Sequence, residues 1–540
     1  MLVKSIHSME DNLKRYLSDP EHSHDLRTAV KLAKEILVHK EDSDYANYAL
    51  ALNEIMYANS TAPLSDFTSS IDRLEKLIKK NPKFLEAYLM LAKVLKETDR
   101  EKELKVLEQA NKIFPDNYLI MYDLATFKLF NTGEKEEALT LFSKCVETLP
   151  QIPNNWAMLG TAYVMLRELE MAKVSFETAL SLNPEHVNAT LGLGVYYFEN
   201  ANFVKAREYY EKSLLINKDS YYAKFNIALL EILQGNFKKG IELHEQRDKK
   251  KYIKKYGGGG YTEMKKDDIS KNSNKKIIII KEQGYGDDIM FSRYLKPFSE
   301  LGYEVTLATH PEMINLFKAS PDLDKINLVS SLPELSPSSF SFRTFLMSLP
   351  YLMLDFQENK PAPLRFSIDR IKKQELKFSK PIKKLLKEKK IKVGITWSGN
   401  PKHWRDKNRS IELGLLERLF KIKDIDFFAI QKIFNKEDDE LVKKYSNVHI
   451  CGDWLHDFSH TALIASEMDC ILSVDTSLVH LAGSLNKETY LFTPKVPDWR
   501  WGLEEHQDWY PSVQLLRQKK IDCWEEPINK IEKVLRSKIV

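Results

Sequence analysis

The sequence predicts an α + α/β chain, a helical solenoid followed by a pair of Rossmann-like lobes, and three observations carry that prediction. A period of 34 positions runs through residues 85–250. At Ile277 the pattern changes to buried strand, glycine turn and helix, in "KIIIIKEQGYGDDIMFSRYL". A second unit of that kind opens at "IKVGITWSGN". The boundaries implied are repeats over 1–250, a linker over 251–276, a first lobe over 277–385 and a second over 386–540.

The repeat register is read from small and large residues. Leu159, Gly160, Tyr163, Ala172 and Phe176 recur 34 positions on as Leu193, Gly194, Tyr197, Ala206 and Tyr210. Ala138, Phe142, Cys145 and Pro150 fit one unit earlier; Ile227, Ala228 and Gly240 fit one unit later. Each unit is a helix pair in which Gly or Ala admits close contact, a large residue fills the gap, and Pro or Asn ends the second helix. "NNWAMLGTAYVMLRELEMAKVSFETALSLNP" resembles the tetratricopeptide repeat, and "LRTAVKLAKEILVHK" and "SSIDRLEKLIKKNP" look like degenerate helices of the same array. Trp156, Tyr163 and Phe176 occupy core positions of the repeat. An array of this kind offers an extended surface to a peptide or protein.

Composition excludes several functions. With 540 residues, 81 of them basic and 77 acidic, the net charge is only +4, so no global field favours nucleic acid. The start, "MLVKSIHSMEDNLKRYL", lacks the apolar core of a secretion signal, and nothing later reaches the roughly 20 apolar residues of a membrane span. A cytoplasmic protein is expected. Cys145, Cys451, Cys470 and Cys523 are scattered with no C-x-x-C pair, which points to reduced, structural thiols rather than zinc or disulfides.

Lysine-rich sequence with Gly257 to Gly260 reads as the linker; no strand precedes those glycines and no G-K-S/T follows, so they are not a phosphate loop. Strands follow in "KIIIIK", "YEVTLATHPEM", "IKVGIT", "IDFFAIQ", "NVHICG", "CILSV" and "ETYLFTP", with a charged connector from Asp369 to Lys392 between the lobes. Ligands of such lobes sit outside the carboxyl ends of the strands.

Chemistry concentrates at three strand ends. Asp475, Thr476 and Ser477 lie where a strand meets a helix beginning near Leu478, a pattern that serves either helix capping or an anion at the helix N-terminus. In the turn from Gly284 to Ile289, the dinucleotide fingerprint fails at Ile289 and at Thr309–His310, and two carboxylates, Asp287 and Asp288, would repel a pyrophosphate. One of them is a candidate general base; the alternative is complementing the helix dipole. "WSGNPKHWRDKNRS" carries Asn400, Lys402, His403, Arg405, Lys407 and Arg409, a set suited to neutralising a diphosphate or simply an exposed basic loop. Asp322–Asp324 and Asp424–Asp426 have the D-x-D form but precede their apolar runs, so they are read as turn residues and no metal site is expected.

The turn "GYGDDIMFSRYL", the loop "WSGNPKHWRDKNRSI", "SVDTSLVHLAGSL" and "PDWRWGLEEHQDWYPSVQLLRQ" together resemble the heptosyltransferases, glycosyltransferase family 9. The layout also resembles the O-linked N-acetylglucosamine transferases, which join tetratricopeptide repeats to a GT-B domain. The resemblance implies an inverting, metal-independent glycosyl transfer with no cofactor, the nucleotide-sugar being a substrate. Asp287, after Gly286 and beside Asp288, matches the proposed base. Asp475, Thr476, Ser477 and His480 match the D-T-x-x-x-H-L-type motif that holds the donor diphosphate, with Ser477 where many members have glycine. Asn400, Lys402 and Arg409 would join them, and Asp498, Trp499 and Arg500 would line the cleft mouth. His480 also reads as a core histidine, and Trp499 as packing for the C-terminal tail. Implied partners are a nucleotide-sugar and a protein or glycan acceptor bound by the array. The alternative is a non-catalytic repeat scaffold with a degenerate nucleotide-sugar site.

Overall fold

The computed structural model describes residues 2–18, 26–61, 67–256, 260–271, 273–330, 332, 336–356, 360–373, 386–432 and 434–539. Gly257 to Gly259 of the expected linker, and residues 374–385 of the expected connector, lie outside the described residues. The chain forms two compact units, Met1–Leu166 and Arg167–Val540.

The first unit is helical. Its helices include Leu26–His39 and Thr68–Lys80, the two segments expected to be degenerate repeats, and run on to Lys135–Thr148 and Pro153–Leu166. Asparagines punctuate it: Asn81 ends the helix Thr68–Lys80 and accepts from the Lys83 amide at 3.2 Å, and Asn117 caps the helix Tyr118–Phe127 through the Ile120 amide at 3.2 Å. Trp156 is half-buried, with its indole N–H donating to the Pro150 carbonyl at 2.8 Å.

The second unit opens with the helix Leu169–Leu182, followed by the repeat pairs Val187–Glu199/Phe203–Ile216 and Tyr221–Leu233/Phe237–His244. Here the 34-residue spacing has a visible cause. A Cβ on Gly194 would lie 2.4 Å from the Tyr210 ring, so only glycine lets that large residue fill the gap between helices.

Two parallel sheets follow. The first comprises β1 (Lys276–Ile280), β2 (Glu304–Ala308), β3 (Asn327–Val329) and β4 (Phe342–Phe345) in the order β3-β2-β1-β4. The second comprises β5 (Ile391–Thr396), β6 (Ile425–Ala429), β7 (Val448–Ile450), β8 (Cys470–Val474), β9 (Thr489–Thr493) and β10 (Val513–Arg517) in the order β10-β9-β8-β5-β6-β7. Numbered from its own first strand, the second sheet has the doubly wound order 3-2-1-4-5-6, and the first has the 3-2-1-4 portion of it. The central strands are buried on both faces, which is why Ile277 to Ile280 and Cys470 to Val474 are runs rather than alternations.

Two expectations change. Asp426 is not a turn residue: it lies inside β6, buried, where Lys390 donates to it at 3.1 Å, whereas Asp424 does sit in the preceding turn with φ 68°. The segment read as linker is built into the first lobe, since Tyr252 of the helix Lys250–Tyr256 packs in a cluster with Ile278, Ile280 and Phe345, and Glu263 bridges to Arg343. One apolar core runs from Ile232, Leu233 and Ile241 of the repeats through the first lobe to Trp499, Trp501 and Trp509.

Candidate functional site

In an open α/β sheet, the crevice lies where the strand order reverses, between β5 and β8 in the second sheet and between β1 and β4 in the first. The loops leaving β5, β8 and β1 are the three strand ends singled out by sequence.

After β8, Thr476 is the N-cap residue of the helix Ser477–Ser484, yet its side chain makes no capping bond; its hydroxyl lies 3.3 Å from Ser473 Oγ instead. Side-chain capping by Thr476 is therefore not what this segment does. The loop after β5 is shaped by Gln431, whose Oε1 accepts from the Trp397 and Ser398 amides at 3.2 and 3.3 Å. Arg409 joins the two loops, its Nη1 donating to the Asp475 carbonyl at 2.8 Å and its Nε to Asp406 at 3.2 Å. Arg405 turns the other way: Nη2 donates to the Val496 carbonyl at 2.8 Å, and Nε lies 3.1 Å from Glu199 of the repeats. Asn400 and Lys402 sit on an exposed turn, where Asn400 Oδ1 accepts from the Lys402 amide at 3.0 Å, away from this cluster.

After β1, Gly284 caps the helix Tyr285–Phe291, and Asp287 Oδ2 accepts from the Gly284 amide at 3.2 Å. The other oxygen of Asp287 is paired with Nη2 of Arg500, from the second lobe. Asp288 points into the first lobe, where the Thr309 hydroxyl donates to it at 2.8 Å. Burial, and secondarily the Asp287 charge, pushes Asp288 up to about 7. The two neighbouring carboxylates thus have different surroundings, and Asp287 is the one at the crevice. The lobes touch here: a Cβ on Gly286 would lie 2.8 Å from His480 Cδ2, so this position needs glycine.

Arg500 is the hub. Its Nη1 donates to Asp498 Oδ1 at 2.6 Å, its guanidinium lies 4.3 Å above the Trp499 ring, and its Nε has no hydrogen-bond partner. Burial works to raise Asp498, but Arg500 holds that carboxyl below its ordinary value. Burial and then the Asp498 charge push Asp475 up to about 6. His480 is a core residue: its ring stacks on Trp501 at 5.3 Å, Nδ1 lies 3.2 Å from the Tyr510 hydroxyl, and burial followed by the Arg500 charge brings it down to about 3. Trp499 is packed against Phe291 as well as under Arg500. Arg500 also lines a cavity of about 400 Å³ with Trp499, Trp501 and Gly502 of the second lobe and Gly235 and Phe237 of the repeats.

The structure therefore brings together Asp287, Asp475, Thr476, Ser477, Asp498, Trp499, Arg500 and, through the Asp475 carbonyl, Arg409. Sequence reasoning missed the buried pair behind it. Arg247 makes a two-pronged bond to Glu282, Nε to Oε1 at 2.8 Å and Nη2 to Oε2 at 2.6 Å, while Glu282 also accepts from the Met347 amide at 3.1 Å. The available signal was a glutamate two residues beyond a buried strand. Among the described residues no group of three or more His, Cys, Asp or Glu is arranged to hold a metal ion. Nor is any helix among them long and apolar enough to cross a membrane.

Residues 157–222 match the tetratricopeptide repeat family model. The Gly194–Tyr210 contact lies inside that match. Among solved structures, the chain is similar to a MamA fragment (41-end) from Desulfovibrio magneticus RS-1, with 16% identity, 33% of this chain and 97% of that one covered, and a TM-score of 0.29. It is also similar to PilW, a type IV pilus biogenesis factor, with 18% identity, 38% and 91% covered and a TM-score of 0.32. YrrB, described as a tetratricopeptide repeat protein with an unusual peptide-binding site, has 18% identity, 32% and 89% covered and a TM-score of 0.25. No curated protein matches the chain.

Proposed function

We propose that this protein is a glycosyltransferase of GT-B type that moves a sugar from a nucleotide-activated donor to a hydroxyl of a protein or glycan, with the repeats selecting the acceptor. The observation that supports it best is the meeting of Asp287, Arg500, Asp498 and Asp475 where the strand orders of both sheets reverse. In this reading the helix Ser477–Ser484, whose N-cap residue leaves its first turn without a side-chain cap, turns the positive end of its dipole toward the donor diphosphate. Arg409 holds the two loops that frame that end, and Arg500 supplies a guanidinium to the phosphates. Asp287 takes the proton from the acceptor hydroxyl as the diphosphate departs. No metal or cofactor enters the scheme.

The test is release of nucleoside diphosphate from a panel of nucleotide-sugars by the full chain, with and without protein and glycan acceptors, the sugar passing to water where no acceptor is supplied. Wild type is expected to release one nucleoside diphosphate, and Asp287→Asn to lower that turnover about 10²–10⁴-fold. Equal turnover in the two proteins would remove Asp287 from the reaction. A second reading, a non-catalytic nucleotide-sugar-binding scaffold, is favoured by one observation, the engagement of Asp287 by Arg500. Binding of a nucleotide-sugar without any release would select it.

A further inference from the structure

The pairing of Asp287 with Arg500 is awkward for a base. Both oxygens of Asp287 are engaged, Oδ1 by Arg500 and Oδ2 by the Gly284 amide, so neither is open to an acceptor hydroxyl. The side chains of both partners are nearly buried, 13% and 11% exposed, so water does little to loosen them. Three features make Arg500 able to change partners. Asp287 belongs to the first lobe and Asp498 to the second, so the guanidinium is shared across the crevice rather than fixed by one element. Its Nε is unused. It also borders a cavity of about 400 Å³.

We infer that Arg500 is a latch between the lobes that a diphosphate-bearing ligand takes from Asp287, so that donor binding is the event that releases the carboxylate. The inference rests on the proposed donor site and adds an order to it: diphosphate first, then a competent base, then the acceptor hydroxyl. A diphosphate offers several anionic oxygens in place of one carboxylate, so it competes well for a planar, two-pronged donor. Asp498 keeps the other edge of the guanidinium and limits the movement to a change of partner on one side. Until that exchange takes place, Asp287 stays neutralised and the lobes stay joined.

The experiment is calorimetric titration of the full-length protein with ADP, GDP, UDP, CDP and inorganic pyrophosphate, as a double-mutant cycle over Asp287→Asn and Arg500→Gln. Competition predicts that Asp287→Asn binds the preferred diphosphate at least about tenfold more tightly than wild type, because the displaced hydrogen-bonded ion pair no longer opposes binding. Arg500→Gln binds more weakly by a similar factor. The decisive comparison is the double variant: with the latch absent, Asp287→Asn gains nothing further. A simple field effect of the Asp287 charge would instead give the same gain in both backgrounds, and that result overturns the latch. So does unchanged affinity in Asp287→Asn while the wild type binds. If no diphosphate binds any of the four forms, the donor-site reading itself falls, and the latch with it. Should Asp287→Asn fold poorly, Asp287→Ser makes the same comparison.

Discussion

The helices of residues 2–166 and those of residues 169–244 obey one repeat pattern, but the charges they bury have different partners. In the first unit the ion pairs close within the helical array, some of them between helices, as Arg73 with Glu54 and Lys80 with Asp44. Buried Glu103 is paired with Arg100 three positions away on its own helix, and Lys128 with Glu134 and Glu137 across one turn. In the second unit some partners lie in the lobes: Glu199 meets Arg405, 206 positions on, and Arg247, just beyond the last repeat helix, meets Glu282 and Ser348 of the first lobe. The same architecture thus serves two ends. Where charges close within the repeats, the array is self-contained; where they reach into the lobes, repeats and lobes share one buried core.

The strongest way to break that contrast is Arg247→Met. It strands Glu282, whose side chain is fully buried, and a stranded buried charge costs about 3–5 kcal/mol. Calorimetric melting of the full chain should show a large loss, partly restored by adding Glu282→Leu. In the first unit, Arg73→Met breaks a half-exposed pair with Glu54 and should cost less than about 1 kcal/mol. Similar losses at the two sites would erase the distinction.

Asp288 sharpens the contrast through pH. Its folded value is raised from 3.8 to about 7, so the folded protein holds a proton that the unfolded chain has released. That contribution to stability is complete below the unfolded value and is lost as pH rises through the folded one, about 4 kcal/mol in all. Asp288→Asn should therefore gain on wild type steadily between pH 4 and pH 7 in urea titrations. A constant difference across that range would mean that Asp288 is ionised in the fold.

Gly194→Ala brings a methyl within 2.4 Å of Tyr210, whose ring must move; about 1–3 kcal/mol is expected from thermal unfolding. Smallest is Lys76→Ala in the first unit, which removes an exposed pair with Asp72 on one helix turn and should shift stability by less than about 0.5 kcal/mol.

How much of this was legible in the sequence depended on range. The 34-residue register was visible because Gly194 and Tyr210 are both within one repeat. β1 and β8 were visible as apolar runs of buried strands. β3 has only three residues, and β4 carries buried Arg343 amid its apolar positions, so neither rose above the surrounding loop pattern. At the site, strand ends could be located because topology puts ligands there, but partner choice could not. Arg500 and Asp287 are 213 positions apart, and Arg247 and Glu282 belong to regions with different periodicities. Only the packing of repeats and lobes around one core decides those pairs. For the same reason the basic loop after β5 divided: Arg409 turned to Asp475, Arg405 to the repeats, and Lys402 to solvent.

In the proposed function, the crevice of the second lobe takes a nucleoside diphosphate between Arg409, Arg500 and the start of the helix Ser477–Ser484. The most direct test is a thermal-shift panel of nucleoside monophosphates, diphosphates and their sugars on the wild type and on Arg409→Lys, each compared with its own ligand-free melt. Ligands that bind only the folded state raise the melting temperature by mass action. A rise with one nucleoside diphosphate series is expected in the wild type and a clearly smaller rise in the variant. No rise with any of them, or an equal rise in both proteins, would contradict it.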